Sequence, residues 1–359
     1  MVLTRRRVFG ILGAGAATAA MSRGVFGEEP AFPKGAIIRT LLKDMEPSEL
    51  AGGATLFHEH LQLAKDFNAK FAAATAAARA ANGLPPAPAR GGPGRAAPAG
   101  PDIQHDPDLM TAEVLKAKSE GVACIVDAGH EDSGRDINFL RQVAMKSGLP
   151  IVASGGYYAE PWYPKEISTM SEEQIVKALI KQADDNTLGA YGEIGSWDEI
   201  SAVERKVFRA VGRAQVATNL PIYTHTGIPG KSAIEQLDIL EDSGAKPEHI
   251  VIGHLGNLVD KDVYVHKHIC RRGAYVGFDR QGGPFDANVV PMVMALIEAG
   301  FVDHIMFSAD TSSGYGKTLT VFVPKVKAAG VSDEIIHRIT VDNPRRFLAF
   351  VPKRPRKRA

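Results

Sequence analysis

Across most of its 359 residues this chain alternates short apolar runs, rich in β-branched residues, with longer amphipathic stretches. The runs are 54–60, 121–128, 149–155, 188–194, 220–226, 249–254, 274–278 and 304–308. From 121 onward their starts lie about 25–40 residues apart, the length of one strand, one helix and two loops. Eight such units predict an α/β fold of one kind, a (β/α)8 TIM barrel in a single domain. Parallel barrel strands are covered on both faces, so they read as unbroken apolar runs. Helical patterns fill the gaps at 111–120, capped by Thr111, at 171–186 and at 332–350. The second of these opens on a capping box, Ser171-Glu172-Glu173-Gln174. A doubly wound open sheet is the competing fold.

One stretch breaks the rhythm. Residues 66–108 follow the first strand and begin with an alanine-dominated, helix-prone segment at 69–81. A Pro/Gly/Ala-rich excursion from Leu84 to Pro101 completes the insertion. After a first barrel strand it emerges on the face where barrel active sites lie, to shade the pocket, to meet a partner or simply to form a surface loop.

Six metal-capable side chains stand at the ends of the predicted strands. They are His58 and His60 in Thr-Leu-Phe-His-Glu-His-Leu, Glu193 in Tyr-Gly-Glu-Ile-Gly, His225, His254 and Asp310. Side chains two apart on a strand share a face, so His58 and His60 can reach one ion while Glu59 turns toward the helices or a loop. A lone strand histidine is ordinarily a hydrogen-bonded core residue. Six ligand-type residues on five strands of a closed barrel converge at one mouth, whereas an open sheet gives no reason for that spread. Neutral imidazoles with carboxylates suit zinc or a similar divalent ion. The other histidines lack a strand-end setting and read as structural or exposed, with His130, at the mouth after strand two, the exception to follow.

Composition narrows the rest. The chain is 45% apolar and 23% charged, ordinary for a soluble globular protein, and its net charge of +1 predicts no general attraction to nucleic acid or acidic membranes. Two cysteines make no disulfide framework. Arg5-Arg6-Arg7 precedes a mildly apolar Gly/Ala stretch too short to span a membrane, which resembles a twin-arginine signal peptide over 1–27. The mature barrel then covers 28–352 and is exported by the twin-arginine machinery to the periplasm or beyond. The basic tail 353–359 reads as solvated.

The strand ends carry a family resemblance. The chain resembles the phosphotriesterase family of the amidohydrolase superfamily from the first strand to Asn343-Pro344-Arg345-Arg346-Phe347. Besides the six residues, matching stretches are Asp127 with Ser133-Gly134-Arg135-Asp136, Ala153-Ser154-Gly155-Gly156-Tyr157 and Gly277-Phe278-Asp279-Arg280-Gln281-Gly282. The resemblance implies two divalent ions, with zinc expected, one held by His58, His60 and Asp310 and the other by His225 and His254. Most relatives bridge the ions with a carboxylated lysine; here Glu193 occupies that place, as in a glutamate-using branch. Asn257 stands where relatives often carry an acidic residue. Tyr157 and Arg280 align with positions that shape the pocket in lactonase-like relatives, and Arg280 is alternatively a structural partner of Asp279.

This set implies a hydrolase acting on a small-molecule ester or lactone, with phosphotriesters as a side activity. Two ions about 3.5–4 Å apart acidify a shared water, and Asp310 is placed to take and return its proton. Asp279 and Arg280 favour a lactone or ester over an organophosphate. A DNase-like phosphodiesterase and a non-catalytic periplasmic metal-binding protein are the competing readings. A homodimer stays open.

Overall fold

The computed structural model describes residues 30–86, 101–227, 230–258, 260–283 and 286–356. The signal-like segment 1–27 and residues 87–100 of the insertion lie outside the described residues. Eight parallel strands form the barrel: β1 Ala54–Glu59, β2 Val122–Asp127, β3 Ile151–Gly155, β4 Ala190–Ser196, β5 Ile222–Thr226, β6 Ile250–Ile252, β7 Tyr275–Phe278 and β8 Ile305–Phe307. Each pairs with its neighbour in sequence. The ends of β8 and β1 meet, with Asp310 N–H donating to His58 O at 3.2 Å and His60 N–H to Thr311 O at 3.0 Å.

The apolar runs are continuous because both strand faces are covered. Ile125, Ile151, Ile222, Ile250, Ile252, Ile305 and Phe307 pack in the large cluster shared with the helices. Their sequence neighbours Cys124, Val126, Val152, Tyr223, Val251 and Met306 fill the second cluster, inside the barrel. That division has the period of two that a pleated strand imposes. In β1 the period is broken by a register shift between Leu56 and Glu59. Phe57 therefore packs inward and His58 also turns to the interior, its ring 5.5 Å from that of Tyr223.

The helical layer follows the expected stretches with two corrections. The helix preceding β2 runs Pro107–Ser119, earlier than 111–120, because Asp106 rather than Thr111 caps it, accepting from the backbone of Asp108 and Leu109. Pro107 at the first position fits a site whose N–H has no helical acceptor. The last helix starts at the Ser332 cap as expected but is split, Asp333–His337 and Asn343–Leu348 flanking a π-helical turn. It stops at 348 because Phe350 pairs with Ile37 instead. The Glu172–Asn186 helix has its capping box, Ser171 with Gln174, intact.

At the amino end of the barrel, a short hairpin, Ile38–Arg39 with Asp44–Met45, and Phe347 close the inner core. Residues 353–355 of the basic tail are exposed, as a solvated tail should be, while some tail side chains reach back to this end of the barrel. Arg356 donates to Thr40 O, Leu41 O and Asp44, and Arg354 to Asp184. Backbone carbonyls and two carboxylates supply acceptors that the tail's own sequence could not reveal. At the other end, α1 (Phe67–Ala81) forms from the alanine-rich part of the insertion and lies over the mouth.

Candidate metal centre

Five strands deliver the six side chains to one place, each at a carboxyl end. Glu193 Oε2 lies 2.9 Å from His225 Nδ1, 3.3 Å from His254 Nε2 and 3.3 Å from His58 Nε2. Its other oxygen, Oε1, lies 3.3 Å from His60 Nε2. One carboxylate thus faces all four histidines, His58, His225 and His254 with one oxygen and His60 with the other. Asp310 Oδ1 lies 3.1 Å from His60 Nε2 and 3.7 Å from His58 Nε2. The potential ligand atoms of three overlapping triads, His58–His60–Glu193, Glu193–His225–His254 and His58–His254–Asp310, each fall within 4.8 Å of one another.

Holding these groups distorts the chain. His254, Arg280 and Asp310, just past β6, β7 and β8, all adopt positive φ, at 60°, 70° and 47°. Side chains other than glycine rarely stand there unless the surroundings over-determine them, and such residues collect at functional sites. Asp310 is held by its own N–H on His58 O, while the His254 N–H donates to Asp279.

Asp279 does more than hold that turn. Its carboxylate accepts from Nδ1 of His58 at 3.0 Å and from Nδ1 of His254 at 2.5 Å. With both Nδ1 atoms protonated, both Nε2 lone pairs point into the cluster, as metal-binding imidazoles require. Burial opposes the charge on Asp279, yet His254 and His58 hold its carboxyl well below the usual range. The alternative pairing of Asp279 with Arg280 is therefore corrected: the Arg280 Nε donates to Asp310 Oδ2 at 2.9 Å, and Asp279 is taken by the histidines.

Glu59 takes the loop of its two expected settings. It reaches across to the segment after β8, accepting from Ser308 Oγ, Ala309 N–H and Thr311 N–H at 2.7–3.0 Å. These donors bracket Asp310, so Glu59 clamps the turn that carries it. The β1 register shift allows this, because it turns consecutive residues away from strict alternation.

Electrostatics favour a cation. Burial resists ionisation of Glu193 and Asp310, but the surrounding imidazoles hold both carboxyls well below their usual values. Burial, with His254 beside it, takes His225 down to about 4, so that ring stays neutral. Burial alone would lower His60 too, yet the Asp310 and Glu193 carboxylates drive it up to about 10. The Glu193 and Asp279 carboxylates draw His58 well up against its burial. Protons and a metal compete for such nitrogens. His58 Nε2 is buried and makes no hydrogen bond, though two carboxylates face it. A divalent metal fits this donor set by charge and chemistry: imidazole nitrogens aimed inward, ionised oxygens, and Asp279 behind them.

Around the centre the structure sorts the remaining candidates. Tyr157 packs edge-on against Tyr163, while its neighbour Tyr158 is buried with its hydroxyl 3.1 Å from His225 Nδ1. The two are adjacent in sequence, and only the loop's path after β3 decides which approaches His225. His130 is buried 2.5 Å from Gly192 O through Nε2, which braces β4 rather than joining the cluster. Arg280 stands on the rim with its side chain 22% exposed. Phe71 on α1 and Trp197 after β4 approach His225 edge-on, at ring distances of 6.0 and 5.9 Å. Phe71 and the clamping role of Glu59 were not singled out by the strand-end pattern, whereas Tyr158 belongs to the aromatic run that follows strand three. The paired tyrosines and the helix-prone phenylalanines after β1 were the available signals.

A profile of the phosphotriesterase family matches residues 37–348. An N-acetyltaurine hydrolase from Danio rerio is 26% identical over 361 residues, covering 87% of this chain and 98% of that protein. Among solved structures, a resiniferatoxin-binding protein from Rhodobacter sphaeroides is 26% identical with a TM-score of 0.72, covering 87% of this chain and 94% of that one. A lactonase from Listeria monocytogenes shares the fold at a TM-score of 0.70 and 23% identity, covering 87% and 98%.

Proposed function

The chain belongs to the phosphotriesterase family, a family of metal-dependent hydrolases, and from that premise we propose that it hydrolyses a carbonyl-centred substrate, an ester or lactone. The observation that carries this reading is Glu193 facing His60 with one oxygen and His225 and His254 with the other. His58, His60 and Asp310 would hold one divalent ion, zinc being the metal the imidazoles suit, and His225 and His254 the second. Such a pair supplies an acidified water and a Lewis acid for the substrate's carbonyl oxygen.

The chain's own groups do the rest. The Asp310 carboxylate takes the proton of the attacking water and returns it to the leaving oxygen. Arg280 keeps Asp310 ionised and turned to the centre through its Nε, and the rest of its guanidinium is free to meet an anionic group on the substrate. The Tyr158 hydroxyl, beside His225, is placed to donate toward a substrate oxygen.

A second reading is hydrolysis of a small N-acyl amide with an anionic tail. Arg280 favours it, and so does the N-acetyltaurine hydrolase activity named for the Danio rerio relative. The twin-arginine-like start supports export, so the enzyme would work in the periplasm or outside the cell.

The test combines metal analysis with turnover. The purified protein, assayed against lactones, aryl esters, N-acyl amides and a phosphotriester, is expected to contain up to two divalent ions and to prefer an acyl substrate. Glu193→Ala should lose at least one ion per chain by elemental analysis. Full retention of two would refute the bridging role, and a phosphotriester preference would refute the acyl reading.

A further inference from the structure

Beside the metal centre lies a cluster of rings that neither the fold nor the proton transfer requires. Phe71 comes from α1, Trp197 from the loop after β4, and Trp162 from the loop after β3. Phe71 lies 6.1 Å from Trp197 and 6.3 Å from Trp162 between ring centres, and both Phe71 and Trp197 turn an edge contact on His225. Trp162 is buried at 5% exposure beneath Phe67 and Tyr158, whereas Phe71 and Trp197 keep part of their surface open at the mouth. The approach of Trp197 is built into the backbone. A side chain at Gly227 would stand 2.7 Å from the Trp197 Cα and 2.9 Å from its ring, so only glycine lets the indole lie against the end of β5.

The rings and the guanidinium contact different parts of the centre. The rings touch His225, the imidazole beside Glu193 Oε2, whereas Arg280 pairs with Asp310. A substrate carbonyl held at the centre would therefore have an apolar wall toward His225 and a cation toward Asp310. Open aromatic surface next to a polar reaction centre is expensive to leave in water and gains most from a flat partner.

We propose that Phe71 and Trp197, backed by the buried Trp162, form a substrate subsite for an aromatic or flat apolar group, supplied in part by the helix of the post-β1 insertion. The insertion is then a specificity element of the enzyme. This rests on the acyl-hydrolase reading for its setting but not for its test.

Trp162 and Trp197 are the two tryptophans of the chain, so tryptophan emission reports this cluster directly. The metal-loaded protein is titrated with phenylacetate and, separately, with acetate, exciting near the red edge of indole absorption where neither probe absorbs. Phenylacetate should change the emission saturably and bind at least about tenfold more tightly than acetate, the scale of one well-placed aromatic contact. In Phe71→Ala that preference should fall by about tenfold, and Phe71→Tyr, which keeps the ring, should restore it. Gly227→Ala, which displaces Trp197 without removing a ring, should weaken phenylacetate in the same way. Equal affinities for the two probes in the wild-type protein, or a preference unchanged in Phe71→Ala, would overturn the subsite. Failure of the hydrolytic reading looks different: no substrate in the panel turns over, while the emission titration still discriminates the probes.

Discussion

The two ends of the barrel handle polar groups in opposite ways. At the amino end, Arg356, Arg354 and Asp44 pair with partners that satisfy them, over a closed apolar core sealed by Phe347 and the hairpin. At the carboxyl end, three consecutive strands finish in left-handed residues that are not glycine, and buried imidazoles face buried carboxylates. The first arrangement lowers free energy on its own terms. The second leaves His58 Nε2 buried without a hydrogen bond and relies on neighbours such as Asp279 and Glu59 to keep strained side chains aimed. The contrast teaches that one end secures the cylinder and the other spends conformational freedom on chemistry, as barrels of this class do generally.

Substitutions at the two ends should therefore separate activity from stability. The largest effect is expected for Asp310→Asn, which keeps the shape but cannot take a proton: kcat should fall by ~10²–10⁴-fold while the melting temperature stays the same or rises. A variant that melted early and turned over normally would erase the distinction between the ends. Phe347→Ala is the counterpart at the closed end. Fully buried against Tyr275, it should lose about 3–5 kcal/mol in denaturant titration yet keep its metal content and its turnover below the melting range.

Glu59→Gln probes the boundary between the two behaviours. One amide oxygen can serve two of the three donors, but the amide nitrogen then confronts a third N–H. The expected result is a fall in kcat of about 10–100-fold, the scale of lost support for a ligand, with little change in KM. A loss of stability without a loss of kcat would show that the clamp serves the barrel rather than Asp310.

The smallest effect concerns pH. On the mouth side, Glu204 accepts from Ser201 N–H and Glu160 N–H, and burial raises its carboxyl to about 7. Its folded value lies above the unfolded one, so its contribution is complete below about pH 4.5 and is lost as pH rises through 7. Thermal unfolding at pH 5 and pH 8 should show the wild type losing up to ~3 kcal/mol relative to Glu204→Gln over that interval. A pH-independent difference would mean that the hydrogen bonds, not the burial, set this residue's behaviour.

How much of this was legible beforehand follows from the range of each interaction. Apolar runs, caps and strand-end ligands are written in local order, because a parallel strand buried on both faces must be apolar and a carboxyl-end residue must face the mouth. The eight strands, the Ser171 capping box and the convergence of His58, His60, Glu193, His225, His254 and Asp310 could be read that way. Contacts between distant segments could not. Glu59 meets Ser308 across some 250 positions, and Asp279 serves both His58 and His254 from a third strand. Only the closed cylinder brings those pairs within hydrogen-bond reach. The choice of Tyr158 over Tyr157, the pairing of Arg280 with Asp310 and the descent of Phe71 onto His225 depend on loop paths and side-chain packing, which no periodicity encodes. The sequence by itself determined the cylinder and the donors at its rim. Tertiary structure decided which groups aim them, because that depends on distances summed around a closed ring rather than along the chain.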